Sequence, residues 1–241
     1  MADVIVWITG ASSGIGAALV ETLPFDDARV FDVSRSGGTP ATEHVPADLA
    51  DPASWVAVEQ HVRAELASFS GSRAVFVHCA GTLQPIGYAS EVNAADYRRA
   101  VLLNSAAPQA LGQSFLAAAA ALDCARDLVL ISSGAATSIY EGWSSYCAGK
   151  AAVDQWARVV AAEQRRRSHC RVFAVNPGPV ATRMQEEIRG MDEHDFPAVE
   201  KFRELHASGR MNRPREVARA IWRLLDGDVE PDEVVDIRTW L

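Results

Sequence analysis

The chain has 241 residues, 49% of them hydrophobic, and its 31 acidic against 23 basic residues give a formal net charge of -8. That length and apolar content suffice for one substantial core, and the acidic balance argues against a chain that wraps nucleic acid or lies on an anionic membrane. Cys79, Cys124, Cys147 and Cys170 are scattered, with no C-x-x-C pair and no histidine at metal-ligand spacing, so they read as reduced thiols and not as a metal site.

The first predicted element is a strand over VIVWI, residues 4–8. The chain enters it directly after Met-Ala-Asp, without a basic n-region, so the expectation is a cytoplasmic protein with no secretory signal. TGASSGIG, residues 9–16, comes next and leads into the helix-like AALVETL. Three glycines, Gly10, Gly14 and Gly16, crowd that junction. In the order strand, glycine turn, helix, backbone N–H groups at a helix N-terminus can meet a phosphate, and missing Cβ atoms let a pyrophosphate approach. No Gly-Lys-Ser/Thr follows, which excludes a P-loop. The spacing G-x-x-x-G-x-G is wider than the usual dinucleotide fingerprint, and a tight turn with close helix–strand packing is the alternative.

Further strands are predicted over RVFDV (29–33), HVPA (44–47), AVFVH (74–78), DLVLIS (127–132), CRVFAV (170–175) and EVVDI (233–237). Helices are predicted over SWVAVEQHVRAEL, over ADYRRAVLLN running toward SFLAAAAAL, over AAVDQWARVVAAEQ and over REVARAIWRLL. FLAAAAAL (115–122) is far shorter than the roughly 20 residues a membrane helix needs. Arg165, Arg166 and Arg167 read as a solvated helix end. This alternation predicts an α/β fold: a doubly wound parallel sheet in a single domain over residues 1–241. Residues 183–212 break the alternation with a charged stretch, expected to form a lid over a ligand crevice, or else a surface helix pair.

Tyr146 and Lys150 are four positions apart at the start of a helix and so share a face. An ammonium beside a phenol is expected to stabilise the phenolate and lower its pKa from about 10, giving an acid usable near neutral pH. Ser133 ends the strand DLVLIS, where its hydroxyl could stabilise charge developing on a substrate oxygen, or merely cap the next turn.

TGASSGIG together with the later YCAGK resembles the short-chain dehydrogenase/reductase family, whose glycine motif has this wider spacing. The resemblance extends to Asp48-Leu49 after the third strand, Ala80-Gly81 after the fourth, Asn104 in LLNS, Ser133 in ISS, and Pro177-Gly178 with Thr182 in NPGPVAT. Cys79 departs from it, standing where the family usually has asparagine. The likeness implies a Rossmann fold and a catalytic tetrad of Asn104, Ser133, Tyr146 and Lys150. Tyr146 would protonate a carbonyl oxygen as hydride arrives from the nicotinamide, Lys150 would hold the ribose hydroxyls, and Asn104 would organise a water. Gly10, Ser12, Ser13, Gly14, Ile15 and Gly16 would cradle the pyrophosphate, Asp48 would face the adenine, and Leu49, Ala80 and Gly81 would also bind the cofactor. Pro177, Gly178, Val180 and Thr182 would fix the nicotinamide.

In the same alignment Ser34 falls where NAD-dependent members carry an acid, and Arg35 where NADP-dependent members carry a base, so NADPH is the expected cofactor. Ser13, standing where many NADP users have a second base, and the nearby Asp32 weigh on the other side. GWSSYCAGKAA, PGPVATRMQ and the closing VVDI are most similar to the family branch containing sepiapterin and benzil reductases. That implies a 1,2-dicarbonyl, pterin-like or aromatic ketone substrate, with Trp143, Met184, Gln185 and Asp236 in its pocket beside Ser133 and Tyr146. An alcohol dehydrogenase acting oxidatively uses the same residues, and a dinucleotide-binding sensor without chemistry is the reading from another class. Family members are commonly homodimers or homotetramers through the helices at Asn104 and Tyr146, and the alanine-rich LAAAAAL would allow close packing.

Overall fold

Valine and isoleucine dominate β1 (Val4–Thr9), which is buried along its whole length. β-branched side chains suit a pleated strand covered on both faces. Ile5 and Trp7 enter one hydrophobic layer, and Val4, Val6 and Ile8 enter the other. The computed structural model describes residues 2–167, 170–227 and 234–241. From β1 the chain continues through α1 (Gly14–Glu21), β2 (Ala28–Ser34), β3 (Glu43–Pro46), α2 (Pro52–Ala67), β4 (Arg73–His78) and α3 (Ala94–Val101). A π-helical turn (Leu102–Ala106) joins α3 to α4 (Ala107–Ala119), followed by β5 (Ala125–Ile131), α5 (Ser144–Arg167) and β6 (Arg171–Asn176). The last elements are α6 (Arg183–Arg189), α7 (Val199–Ala207), α8 (Pro214–Asp226) and β7 (Val235–Asp236).

Among the described residues the strands form one parallel sheet in the order β3-β2-β1-β4-β5-β6-β7. Helices α2, α4 and α5 contribute to the hydrophobic layer on one face, and α1 and α8 to the layer on the other. The expected doubly wound Rossmann architecture is therefore what the chain forms. β1 and β4 are neighbours, yet the chain leaves them toward opposite faces, which opens a crevice beyond their carboxyl ends. The last strand is shorter than expected. Ile237 already belongs to a 3₁₀ turn (Ile237–Trp240), and Glu233 lies outside the described residues. α4 packs against α2, with Phe115 and Ala119 in the core layer and Leu116, Ala118 and Leu122 against it.

Residues 183–212 form an excursion tied at its base, where Val180 bridges Asn212 and Ala181 N–H donates to the Asn212 carbonyl at 2.9 Å. At the opposite, amino-terminal ends of the strands, fully buried Asp127 accepts from Arg171 Nε at 2.8 Å, while Arg73 Nε stands 3.7 Å from its other oxygen. Arg171 also donates to the Gly227 and Leu225 carbonyls at the end of α8. Removing one partner of a buried ion pair strands the other. Arg171→Leu is expected to lower the unfolding free energy by about 3 kcal/mol in urea titrations, and a loss under about 1 kcal/mol, typical of an exposed pair, would show that Arg73 and solvent suffice for Asp127.

Candidate active site

The glycine segment forms the floor of the crevice. Gly10 has φ +69, a left-handed value that favours glycine, and a Cβ on it would stand 3.1 Å from the Ala80 backbone. A Cβ on Gly16 would stand 2.3 Å from the Gly10 carbonyl oxygen. Neither position accepts a side chain, so the loop's backbone lies bare at the N-terminus of α1. Ser12, Ser13, Gly14 and Ile15 line the same cleft. Its volume is about 740 Å³, inside the usual range for small-molecule sites.

Arg35, Asp48 and Leu49 line one end, Ala80 and Gly81 the middle, and Pro177, Gly178, Val180 and Thr182 the other end. Ser34 lines the cleft too, but its Oγ accepts from Gly37 N–H at 3.1 Å in the turn that carries Arg35 outward. Asp32 is fully buried and is not among the lining residues, so its carboxylate is not presented to the cleft. At the Cys79 position the backbone is anchored by Thr9, whose Oγ1 accepts from Cys79 and Ala80 N–H, both at 3.1 Å. Burial pushes the Cys79 thiol up to about 12, which leaves it protonated and inert.

Ser133 stands just past β5 and Tyr146 in the first turn of α5, with Lys150 one turn further; all three line the cleft. Ser133 Oγ accepts from Ala135 N–H at 3.1 Å, so it caps its turn and still faces the cleft with a hydroxyl proton to donate. Tyr146 is buried, its ring edge-on to Trp143 at 5.5 Å between centroids. The Lys150 ammonium donates to the Ile131 carbonyl at 2.7 Å and sits 5.7 Å from the Tyr146 ring centroid. Asn104 lies behind the cleft wall in the π-helical turn. Its side chain accepts from Thr82 N–H at 2.9 Å and donates to Thr82 O at 2.8 Å, pinning that turn to the segment after β4. A π-helical turn inside a helix commonly marks a functional site.

Electrostatics correct one expectation. Burial raises the Tyr146 pKa above its usual 10.0, and the Ser133 hydroxyl only partly offsets it. Burial also pushes Lys150 down to about 8, against the pull of the Asp154 carboxylate. Desolvation dominates the phenol, and the Lys150 ammonium donates to the Ile131 carbonyl. At neutral pH the tyrosine is therefore a phenol carrying its proton.

Trp143 stacks on Phe196 at 4.4 Å and packs against Tyr140 and Phe202 at 5.2 and 5.4 Å, forming an aromatic wall that Met184 and Ile188 extend. Trp143, Met184 and Gln185 line the cleft, as do Tyr140 and Phe202. Asp236 does not. Its carboxylate accepts from Arg238 Nε at 2.9 Å and from Arg238 N–H at 3.1 Å, capping the final turn, and it is Arg238 that lines the cleft beside Gly178. Arg99, which donates to Asp48 at 2.7 Å, is a further lining residue that sequence reasoning missed. Tyr140 carried a weak signal, an aromatic close to the Tyr-x-x-x-Lys segment. Phe202, Arg238 and Arg99 carried none.

A family model described as short chain dehydrogenase matches residues 4–193. A benzil reductase ((S)-benzoin forming) of Bacillus subtilis (strain 168) is 30% identical over 97% of this chain and 98% of its own length. Sepiapterin reductase of Bos taurus is 27% identical over 92% of this chain and 89% of its own. A crystal structure of a short chain dehydrogenase/reductase from Saccharomyces cerevisiae superposes with a TM-score of 0.82, covering 97% of this chain and 95% of that one at 23% identity, a likeness of fold. Taken with the cleft and its ordered side chains, these matches make the chain an oxidoreductase of the short-chain dehydrogenase/reductase family.

Proposed function

We propose that this chain is an NADPH-dependent carbonyl reductase acting on 1,2-dicarbonyl or aromatic ketones. The observation that carries the reading is the convergence of Ser133, Tyr146 and Lys150 on one cleft that is walled by aromatic rings and reaches Arg35. The bare backbone at Gly10 and Gly16 fits a pyrophosphate, since any Cβ would fill that cradle. When bound, the nicotinamide supplies the hydride. Tyr146 holds the proton for the carbonyl oxygen, and Ser133 donates to the same oxygen as negative charge develops on it. Lys150 holds the ribose hydroxyls. Asn104, fixed by Thr82, organises a water behind Lys150. Trp143, Tyr140 and Phe202 offer flat apolar surface to an aryl ketone, which agrees with the benzil reductase named among the relatives.

In this reading α6 and α7 form a lid over the substrate end. Met184, Gln185 and Phe202 reach the cleft from that excursion, and Lys201 donates to the Tyr140 hydroxyl at 2.8 Å, joining the lid to the loop before the catalytic helix. A cytoplasmic homodimer or homotetramer completes the proposal, with half-exposed Val101 and Val159 on α3 and α5 as apolar positions for a partner copy. The test is a panel of benzil, other diketones, pterins and quinones, assayed for loss of NADPH and of NADH absorbance side by side. Benzil with NADPH is the expected fast pair, and no turnover with any member would refute the reading. For the 2′-phosphate, Arg35→Asp removes a bidentate cation and adds repulsion. It should raise the KM for NADPH at least about tenfold relative to that for NADH, whereas an unchanged ratio would take Arg35 out of cofactor choice.

A further inference from the structure

Lys150 and Asp154 stand one turn apart on the buried face of α5, each 5% exposed, a spacing that sets Cβ atoms about 5–6 Å apart. Alternation along the strands brings two more polar groups to that face. Ala74 and Phe76 of β4 and Leu128 and Leu130 of β5 enter the layer that α5 covers, so His78 and Ser132, two positions on in each case, follow them there, each 2% exposed. The end of β5 then meets α5 at successive residues. The Ile131 carbonyl accepts from the Lys150 ammonium at 2.7 Å, and Ser132 lies near enough to the Asp154 carboxyl to favour its anion. Among the described residues, Ser132 Oγ, Asp154 Oδ1 and both ring nitrogens of His78 nevertheless have no partner at hydrogen-bond distance. A carboxyl so deeply buried keeps its charge only where a cation compensates it, and Lys150 is the cation on its buried side.

The other groups around Lys150 bring no negative charge. On β4, burial and the nearby ammonium hold His78 neutral, its pKa down at about 3, and just beyond it the Cys79 thiol stays protonated. Tyr146 keeps its proton, and Asn104 in the π-helical turn is uncharged. Asp154 is the anion whose charge reaches the ammonium. Burial raises the Asp154 carboxyl, while Ser132, exposed Arg158 one turn further along α5, and Lys150 all favour its ionised form. We propose that Asp154 is a positioning residue, the buried counter-charge that keeps Lys150 an ammonium and holds it at the end of β5, aimed at an entering nucleotide. Asp154 does not line the cleft and acts through Lys150. The inference rests on the dinucleotide reading above and deepens it by naming what sustains the ribose-binding cation.

NADPH binding, followed by nucleotide fluorescence across pH without substrate, tests this apart from turnover. In the wild type the association constant should be level below about pH 8 and fall above it. Asp154→Asn removes the charge and keeps the shape. The fall should then begin about one pH unit lower, with binding at pH 8 about fivefold weaker, and at pH 6, where Lys150 is charged in either protein, the two should agree within about threefold. Asp154→Glu restores the charge and should return the fall toward its wild-type position. Asp154→Ala, which leaves no polar atom to satisfy, carries the same expectation as asparagine should that variant not fold. A neutral variant whose profile coincides with the wild type would overturn the proposal, as would equal weakening at every pH, since Asp154 would then only pack α5 against β5. Carbon-13 NMR of the wild-type Asp154 carboxyl needs no variant: an anion at pH 7 is expected, and a protonated carboxyl there would overturn the proposal. A wild type that binds NADPH without any fall would refute the role of Lys150 and this proposal with it, and one that binds no NADPH at any pH would refute the dinucleotide reading itself.

Discussion

Tyr146→Phe is expected to lower kcat for ketone reduction by about 10²–10⁴-fold, the range for losing a positioned general acid. The phenylalanine ring keeps the edge contact with Trp143 at 5.5 Å and the burial within the aromatic cluster. Only the hydroxyl is removed, and with it the proton for the nascent alkoxide. The melting temperature, followed by circular dichroism, separates this chemistry from a packing defect. A variant that folds as the wild type does yet keeps more than a tenth of its rate would show that another group supplies the proton.

The second large effect concerns Lys150, where charge and pH act together. Burial pushes its pKa down to about 8, so the ammonium is present at neutral pH and is lost as pH rises through that value. If this cation holds the ribose hydroxyls, kcat/KM for the nucleotide should be level below about pH 8 and fall about tenfold per pH unit above it, because this parameter follows groups of the free enzyme. Lys150→Met should lower kcat/KM by about 10²-fold or more at pH 7 and remove the falling limb. Tyr146 moves the other way. Burial raises its pKa, so the phenol keeps its proton across the same range. A profile flat to pH 10 in the wild type would contradict the role given to Lys150.

Much of this site could be read from local sequence. The glycine turn announces itself because positive φ and close backbone approach at Gly10 and Gly16 leave few alternatives to glycine, and Tyr146 and Lys150 share a helix face by spacing alone. What sequence could not show depends on how deep and how near the fold sets each group. The spacing of Tyr146 and Lys150 gave no sign that burial would dominate the phenol's acidity, or that the ammonium would bond to the Ile131 carbonyl across from it. Asp236 sits near the expected place, but Arg238, two residues on, takes its carboxylate and occupies the cleft wall instead. The pairing of Asp48 with Arg99 and the stacking of Trp143 on Phe196 join distant segments, and no pattern within either segment announces them.

The central claim is that hydride passes from a bound nicotinamide to a ketone in this cleft while Tyr146 delivers the proton. It is tested most directly by incubating the wild-type protein with benzil and NADPH carrying deuterium at the transferred C4 position, then analysing the product by mass spectrometry. One deuterium at the carbinol carbon of benzoin, formed by the wild type and not by Tyr146→Phe, is the predicted result. Benzoin without the label, or labelled product formed equally by both proteins, would contradict it.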